Sequence, residues 1–474
     1  MRLRHQKADL KTFGDQRLGQ ALTSFARAAL QKSAYAKEAS WVIAGQVLAG
    51  VGAIFGVRLL THAMTPAEYG EFNLALTGTM LIHMFSSGPI GQAATRYFGQ
   101  ANETNTLRAY LRGLSGIVGA ATLGLLVSTL AAVGLLQLTP YSRWTTTVLW
   151  WLGYSLLYGG ITIVDAIQSG DRRRAISALH QAASQWLRPC FAIFLLAIAG
   201  NSRNVALAGF AVANLLVFAS QLIWLRQSLH VRFENGLPAT EETTSDYSRQ
   251  LFKYAWPFAS YGILSWSQFA SDRWMLEFYQ GPQSVAAFSV SYQLGYQPMN
   301  LLTSAISAFL SPILFGIAGS GQDAYRVSRA TRMNWLHVYA LLGVTVIVTL
   351  VGWLLHKFIY SILAAPAYAA YSGDLPLMIA AGGLFACGQA LTMMFFLGAD
   401  SGAIIGPKVS SSIAGILFNF IGVRYFGIRG AVIATLLFSA LYASIVAQQV
   451  RRWQLARKPG LTAQNPFLRG RNAD

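Results

Sequence analysis

Acidic residues are scarce: the 474-residue chain holds 18 Asp and Glu against 36 Lys and Arg, and charged side chains make up only 11% of it. A soluble domain carries roughly a quarter of its residues charged, so this chain cannot cover itself with water-facing groups. Cysteine is rarer still, at two residues, which excludes a disulfide framework and a cysteine-built metal cluster. The seven histidines are dispersed, with no metal-ligand spacing among them. Signatures of nucleotide and hydrolase chemistry are missing too: there is no GxxxxGK loop followed by Ser or Thr, no HExxH and no GxSxG elbow. ATP is therefore not expected as the direct fuel, and neither an enzyme nor a cofactor is expected.

What the chain has in abundance is apolar length. Hydrophobic residues make up 54% of it, and each membrane crossing needs about 20 mostly apolar residues. Twelve such segments are read, at 41–62, 72–96, 112–137, 144–168, 175–199, 205–226, 250–278, 284–316, 333–356, 374–397, 403–424 and 428–450. The fold class is an all-α polytopic membrane protein. A net charge of +18 first suggests nucleic acid, but the distribution of the basic residues explains it better. With the N-terminus inside, 28 of the 36 Lys and Arg fall on one side and five on the other. That asymmetry predicts cytoplasmic termini and no nucleic-acid partner.

The remaining three are Arg58, Arg188 and Arg273, each inside an apolar stretch of helical length. A guanidinium near the bilayer centre costs about 2.5–3.5 kcal/mol on insertion scales, so it persists where it faces a wet cavity or a partner. Guanidinium forks match phosphate oxygens, so three such cations point to an anionic cargo. Arg58 and Arg273 have a plainer alternative, snorkelling to an interface or pairing with neighbours; Asp272 is adjacent to Arg273, and Glu277 lies one turn on. Pro189, directly after Arg188, removes a backbone donor and is expected to kink its helix. Arg96 is either a first contact for an incoming anion or a positive-inside anchor. Gln46, Gln92, Gln185, Gln268, Gln293, Asn419, Trp266 and Tyr292 are polar or amphipathic residues within spans, suited to sugar contact or to interhelical hydrogen bonds. Asp165 is a possible proton site or an interfacial carboxylate.

The two sets of six spans echo each other. Pro66 stands six residues before Phe72, as Pro282 does before Phe288; ALAGFAVANLL around Gly209 resembles GIRGAVIATLL around Gly430. The spacing also sets Arg58 and Arg273 at matching stations, eight and nine residues before these prolines. Duplication with an even number of spans predicts two lobes of like orientation, related by a pseudo-twofold along the membrane normal. The expected division is a basic cytoplasmic segment at 1–40, six-helix lobes at 41–228 and 250–450, a cytoplasmic linker at 229–249 and a basic tail at 451–474.

Taken together, RLLTHAMTPAEYGEF at 58–72, GQAATRYFG at 91–99, the stretch from LFKYAWPF to SVSYQL at 251–294, SPIL at 311–314 and YFGIRGAVIATLL at 425–437 resemble the Wzx-type polysaccharide flippases of the multidrug/oligosaccharidyl-lipid/polysaccharide exporter superfamily. The resemblance implies two lobes around a central cavity that opens alternately to each side. It implies a polyprenyl-diphosphate-linked oligosaccharide as cargo, bacterial inner-membrane placement, and a monomeric unit working among membrane lipids with polymerase and chain-length machinery. A multidrug or other amphiphile exporter on the same fold is the alternative, lowered by the lack of an acidic residue between Trp41 and Thr61. A polysaccharide polymerase or ligase is a third reading, disfavoured by the short outer loops.

Overall fold

The computed structural model describes residues 40–140, 142–171, 173–234, 244–319, 323–398 and 401–456. The basic leading segment up to residue 39, residues 235–243 of the linker and the end of the basic tail lie outside the described residues. The described residues form helices and turns without a strand. In chain order the helices are α1 (Ser40–Ala63), α2 (Pro66–Ile82), α3 (Gly88–Glu103), α4 (Leu107–Gln137), α5 (Thr145–Gly170), α6 (Arg174–Ala199), α7 (Arg203–Glu234), α8 (Thr244–Gln280), α9 (Pro282–Ser291), α10 (Gln297–Ala318), α11 (Ala324–Leu363), α12 (Leu375–Leu397) and α13 (Ile405–Ala456).

Eight helices among the described residues are long and apolar enough to cross a membrane. Counting α13 as two crossings and adding α2–α3, α8 and α9–α10 gives the twelve segments read from the sequence. α13 is two helices because Gly427, at φ 60° and ψ −135°, breaks it. A Cβ at Gly430 would overlap the Gly422 carbonyl, a contact that residues eight apart make only if the chain doubles back. The positive φ is open to glycine at little cost. In the first half, a Cβ at Gly209 of α7 would likewise overlap the Ala192 backbone of α6, so the two echoing sequences form the same kind of tight helix pair.

The echo between α2 and α9 holds at their start and then slips. Thr65 caps α2, its hydroxyl accepting from Glu68 N, and both helices have proline in their first turn, where the missing N–H is no loss. Each then runs through a π turn, His83–Ser87 or Tyr292–Tyr296, closed by Gly88 N donating to His83 O and Gln297 N to Tyr292 O. Pro89 and Pro298 follow directly, and a proline that cannot donate to the carbonyl four residues back favours the wider turn there. The second half reaches its π turn seven residues sooner. Seven residues are close to two helical turns, so the helix faces stay nearly in phase.

The halves meet tightly at one end. Gly70 of α2 lies against the Pro282 carbonyl, leaving no room for a Cβ. Arg58 donates to Ile362 O at the end of α11, and Ala365 N donates to Thr61 Oγ1 at 3.2 Å. Tyr69, Phe72, Tyr360, Tyr368 and Leu375 form one buried cluster across this boundary. Towards the other end, the opening turns of α8 pack on α3 and α4, where Tyr247 and Thr106 hydroxyls are 2.5 Å apart.

Candidate functional site: the cavity between the lobes

Two connected compartments lie between the halves, both lined by Asn73, Leu76, Met80, Gln293 and Gln297. The larger, of about 500 Å³, has α1, α2, α5, α6 and α10 residues in its wall; the smaller, of about 380 Å³, reaches α8 and α12. Their polar walls come largely from α2 and the α9–α10 junction, which place Asn73, Gln293 and Gln297 in both compartments. Polar side chains are tolerated in these segments because they face this space and not lipid.

Arg188 lines the larger compartment from α6 and is buried. Its Nε donates to Asn214 Oδ1 on α7 at 2.9 Å. Its guanidinium carbon lies 5.2 Å from the Tyr158 ring centre and 5.8 Å from that of Tyr154, within cation–π reach. Among the described residues only Nε of this group is hydrogen-bonded, so both Nη groups remain available to a ligand. Pro189 places its ring against Gly56 of α1, a close approach that brings α6 to the cavity wall. His83, in the first π turn, packs against Tyr158 with ring centres 5.0 Å apart and planes tilted by 59°, and pairs with Ser87 Oγ at 2.9 Å.

Arg273 lines the smaller compartment from α8, also buried. Its guanidinium carbon sits 4.5 Å from the Tyr292 ring centre and 5.4 Å from that of Phe288. Nη1 donates to Phe269 O at 3.0 Å and to Asp272 Oδ1 at 3.2 Å. Arg273 therefore has a carboxylate partner, whereas the side-chain partner of Arg188 is a neutral amide. Between the two walls, Gln293 accepts from Tyr69 at 3.0 Å and donates to Asn73 Oδ1 at 2.7 Å, a hydrogen-bonded bridge from one half to the other. Among the described residues, no Asp or Glu lines either compartment.

The other two sequence candidates sit elsewhere. Arg58, which spacing matched to Arg273, is bonded to Ile362 O at the closed end; Val57 and Leu60 beside it reach the cavity wall. Helical rotation separates them: residue 58 lies about 100° round the helix from 57. Arg96 is exposed on α3. Of the polar candidates, Gln185, Gln293 and Tyr292 line the cavity. Gln46 bonds Gln181, Gln268 bonds Ser412 and Asn419 bonds Ser271, all between helices. Asp165 accepts from Ser177 between α5 and α6. Sequence reading passed over Asn73, His83, Tyr154, Tyr158 and Asn214; Pro89 was the available signal for the turn that exposes His83.

A family model described as "Polysaccharide biosynthesis protein" matches residues 35–318. No curated protein matches the sequence. Among solved structures, the lipid II flippase MurJ in an inward closed conformation is similar with a TM-score of 0.63 and 12% identity, over 89% of this chain and 90% of that one. A MOP superfamily transporter from Pyrococcus furiosus, described as having a binding pocket of reverse polarity, matches with a TM-score of 0.63 and 12% identity over 90% and 96%. The Vibrio cholerae MATE transporter VcmN in its bent form matches with a TM-score of 0.58 and 14% identity over 89% and 99%. These likenesses are of fold.

Proposed function

Because the chain belongs to the polysaccharide biosynthesis protein family, we propose that this multi-pass membrane protein is a flippase for a lipid-linked sugar. Its cargo is a polyprenyl-diphosphate-linked oligosaccharide repeat unit, carried from the cytoplasmic to the outer leaflet of the bacterial inner membrane for surface polysaccharide assembly. The observation that carries the reading is that Arg188 and Arg273 line the two adjoining compartments, from α6 and α8, and that among the described residues no carboxylate lines either. A diphosphate bears at least two negative charges, and Arg188, whose side-chain partner is a neutral amide, together with Arg273, paired with Asp272, supplies charge-assisted hydrogen bonds in place of the hydration it loses. The rings of Tyr154, Tyr158 and Tyr292, with Asn73, Gln185 and Gln293, supply faces and hydrogen-bonding groups for sugars. Charged sugar headgroups stay within the protein while the prenyl chain stays in hydrocarbon.

Alternating access follows from the closed end. Arg58 to Ile362, Thr61 to Ala365 and Gly70 against Pro282 join the segments 41–228 and 250–450 at the α1–α2 turn. With both termini cytoplasmic, as the 28-to-5 distribution of basic residues supports, that end is the outer one. Arg58 thus serves the outer closure, and Arg96 serves the cytoplasmic interface. Export of organic cations on the same fold calls for carboxylates in the cavity, and the wall offers arginines. The polarity of the Pyrococcus furiosus pocket is likewise described as suggesting a different function.

The test is transport in proteoliposomes of a fluorescent polyprenyl-diphosphate oligosaccharide. Wild type is expected to move it across the bilayer, and Arg188→Ala to reduce the rate by about tenfold or more, the value of one charge-assisted contact. Equal rates for both proteins, or transport of a cationic amphiphile instead, would overturn the proposal.

A further inference from the structure

The face of α8 opposite Arg273 carries a second concavity, open to the membrane. Its wall is Trp266, Ser267, Ser271, Trp274, Met275, Phe278 and Tyr279 of α8 with Ile416 and Phe420 of α13, enclosing about 530 Å³. Residues 267, 271, 274 and 278 follow the i, i+4, i+7, i+11 spacing of one helix stripe, while Phe269 and Arg273 face the cavity. Phe278 is 81% exposed and Phe420 45%, a lipid-facing surface. The groove is tied to the cavity through one residue. Thr77 of α2 lines the smaller compartment, and it accepts from both groove tryptophans: Trp266 Nε1 reaches its carbonyl at 2.6 Å and Trp274 Nε1 its hydroxyl at 2.9 Å. An indole pair hydrogen-bonded to the cavity wall, with its rings on the lipid side, marks the boundary between an aqueous site and hydrocarbon.

Resting on the flippase reading above, we propose that this groove seats the isoprenoid chain of the substrate while its diphosphate is held at Arg273. The chain leaves between α2 and α8, where the Trp266–Thr77 and Trp274–Thr77 hydrogen bonds close the seam and part to admit it, and lies along Ile416, Phe420 and Phe278. The distance to be covered is short, because an α-helix with its side chains is only about 10–12 Å across. A head at Arg273 and a chain in the groove are therefore a few isoprene units apart. A prenyl chain gains little hydrophobic free energy by leaving lipid for this surface; what the groove supplies is packing and a fixed direction of exit. Trp266 and Trp274 are then positioning residues for the tail, and the groove belongs to the half of the bundle near the closed end.

The test uses the full chain in nanodiscs and a polyprenyl diphosphate bearing a diazirine on its isoprenoid chain. Photolabelling is expected on the peptides holding Trp274, Phe278, Ile416 and Phe420, competed by unlabelled polyprenyl diphosphate and not by phosphatidylglycerol. Filling the groove with Ile416→Trp is expected to lower that labelling about tenfold, equivalent to about 1.4 kcal/mol. The double variant Arg273→Ala with Asp272→Ala, which leaves no lone buried carboxylate, is expected to lower it similarly. Labelling scattered over lipid-facing helices, undiminished in both variants, or competed equally by phosphatidylglycerol would mark an ordinary annular lipid and overturn the proposal. Binding of geranyl diphosphate, whose chain is too short to fill the groove, separates the two ideas. If it binds wild type and not Arg188→Ala while labelling misses the groove, the groove assignment falls alone. If neither ligand binds, both fall.

Discussion

Arg188 Nε donates to Asn214 Oδ1 at 2.9 Å, joining α6 to α7 at the cavity wall, and Asn214 is fully buried. The amide orients the guanidinium without cancelling its charge. Asn214→Asp would keep the shape and supply a carboxylate, converting the contact into an ion pair that competes with an anionic headgroup. Transport is expected to fall by about tenfold to a hundredfold, the range of one charge-assisted pair, with membrane abundance unchanged. Equal transport in this variant would show that the charge on Arg188 is not used.

Arg273 differs because Asp272 already faces it. Removing one partner of a buried pair leaves the other uncompensated, at about 3–5 kcal/mol, while removing both is often nearly neutral. Arg273→Ala is therefore expected to lower abundance and thermal stability, and Arg273→Ala with Asp272→Ala to restore both. Transport is expected to stay low in the double variant. Recovery of transport along with abundance would assign Arg273 to structure alone. Detergent-solubilised melting curves beside flux measurements make the distinction.

The sequence disclosed most of the fold, because apolar length is a strong signal in a chain built of membrane-crossing helices. Helix ends were harder: α8 runs from Thr244, six residues before the expected span, since its polar opening turns pack on α3 and α4 and leave no apolar signature. The three span arginines were visible as charges, but their surroundings were not. Arg58 and Arg273 have nearly equal spacing from their prolines, yet helix phase and partner differ, and one residue of rotation sends Arg58 to Ile362. Tyr158 and Asn214 read as ordinary residues of apolar helices. Only the approach of α5, α6 and α7 makes them neighbours of Arg188.

The contact of Arg58 with Ile362 O holds the end of α11 to α1. Arg58→Ala is expected to weaken this closure by about 1.5–3 kcal/mol, the value of a hydrogen bond to a charged group, and to raise the population open at that end. A cysteine placed at Tyr69, in a background lacking Cys190 and Cys387, reports it. A membrane-impermeant thiol reagent is expected to modify that cysteine at least about fivefold faster when Arg58→Ala is added, as a shift of about 1 kcal/mol already gives. Unchanged labelling would remove Arg58 from the closure.

Pro89 and Pro298 each follow a π turn, and each lacks the N–H that an α-helical turn would use. Alanine supplies the donor, and because a π turn holds one residue more, rewinding it rotates one flank by about 100°. In α9–α10 that rotation would move Tyr292 and Gln293 out of register with Gln297, all three of which line the cavity. Pro298→Ala is thus expected to leave melting temperature equal or higher, since proline in a helix interior costs about 3 kcal/mol, while transport falls about tenfold or more as the cavity wall is misaligned. Pro282→Ala is the control: at the first position of α9 proline replaces a donor that has no helical partner, and transport there is expected to change by less than about twofold. A Pro298→Ala protein that transports like wild type would mean that the π turn is a packing detail. Loss restricted to Pro298→Ala would show that the widened turn sets the cavity wall.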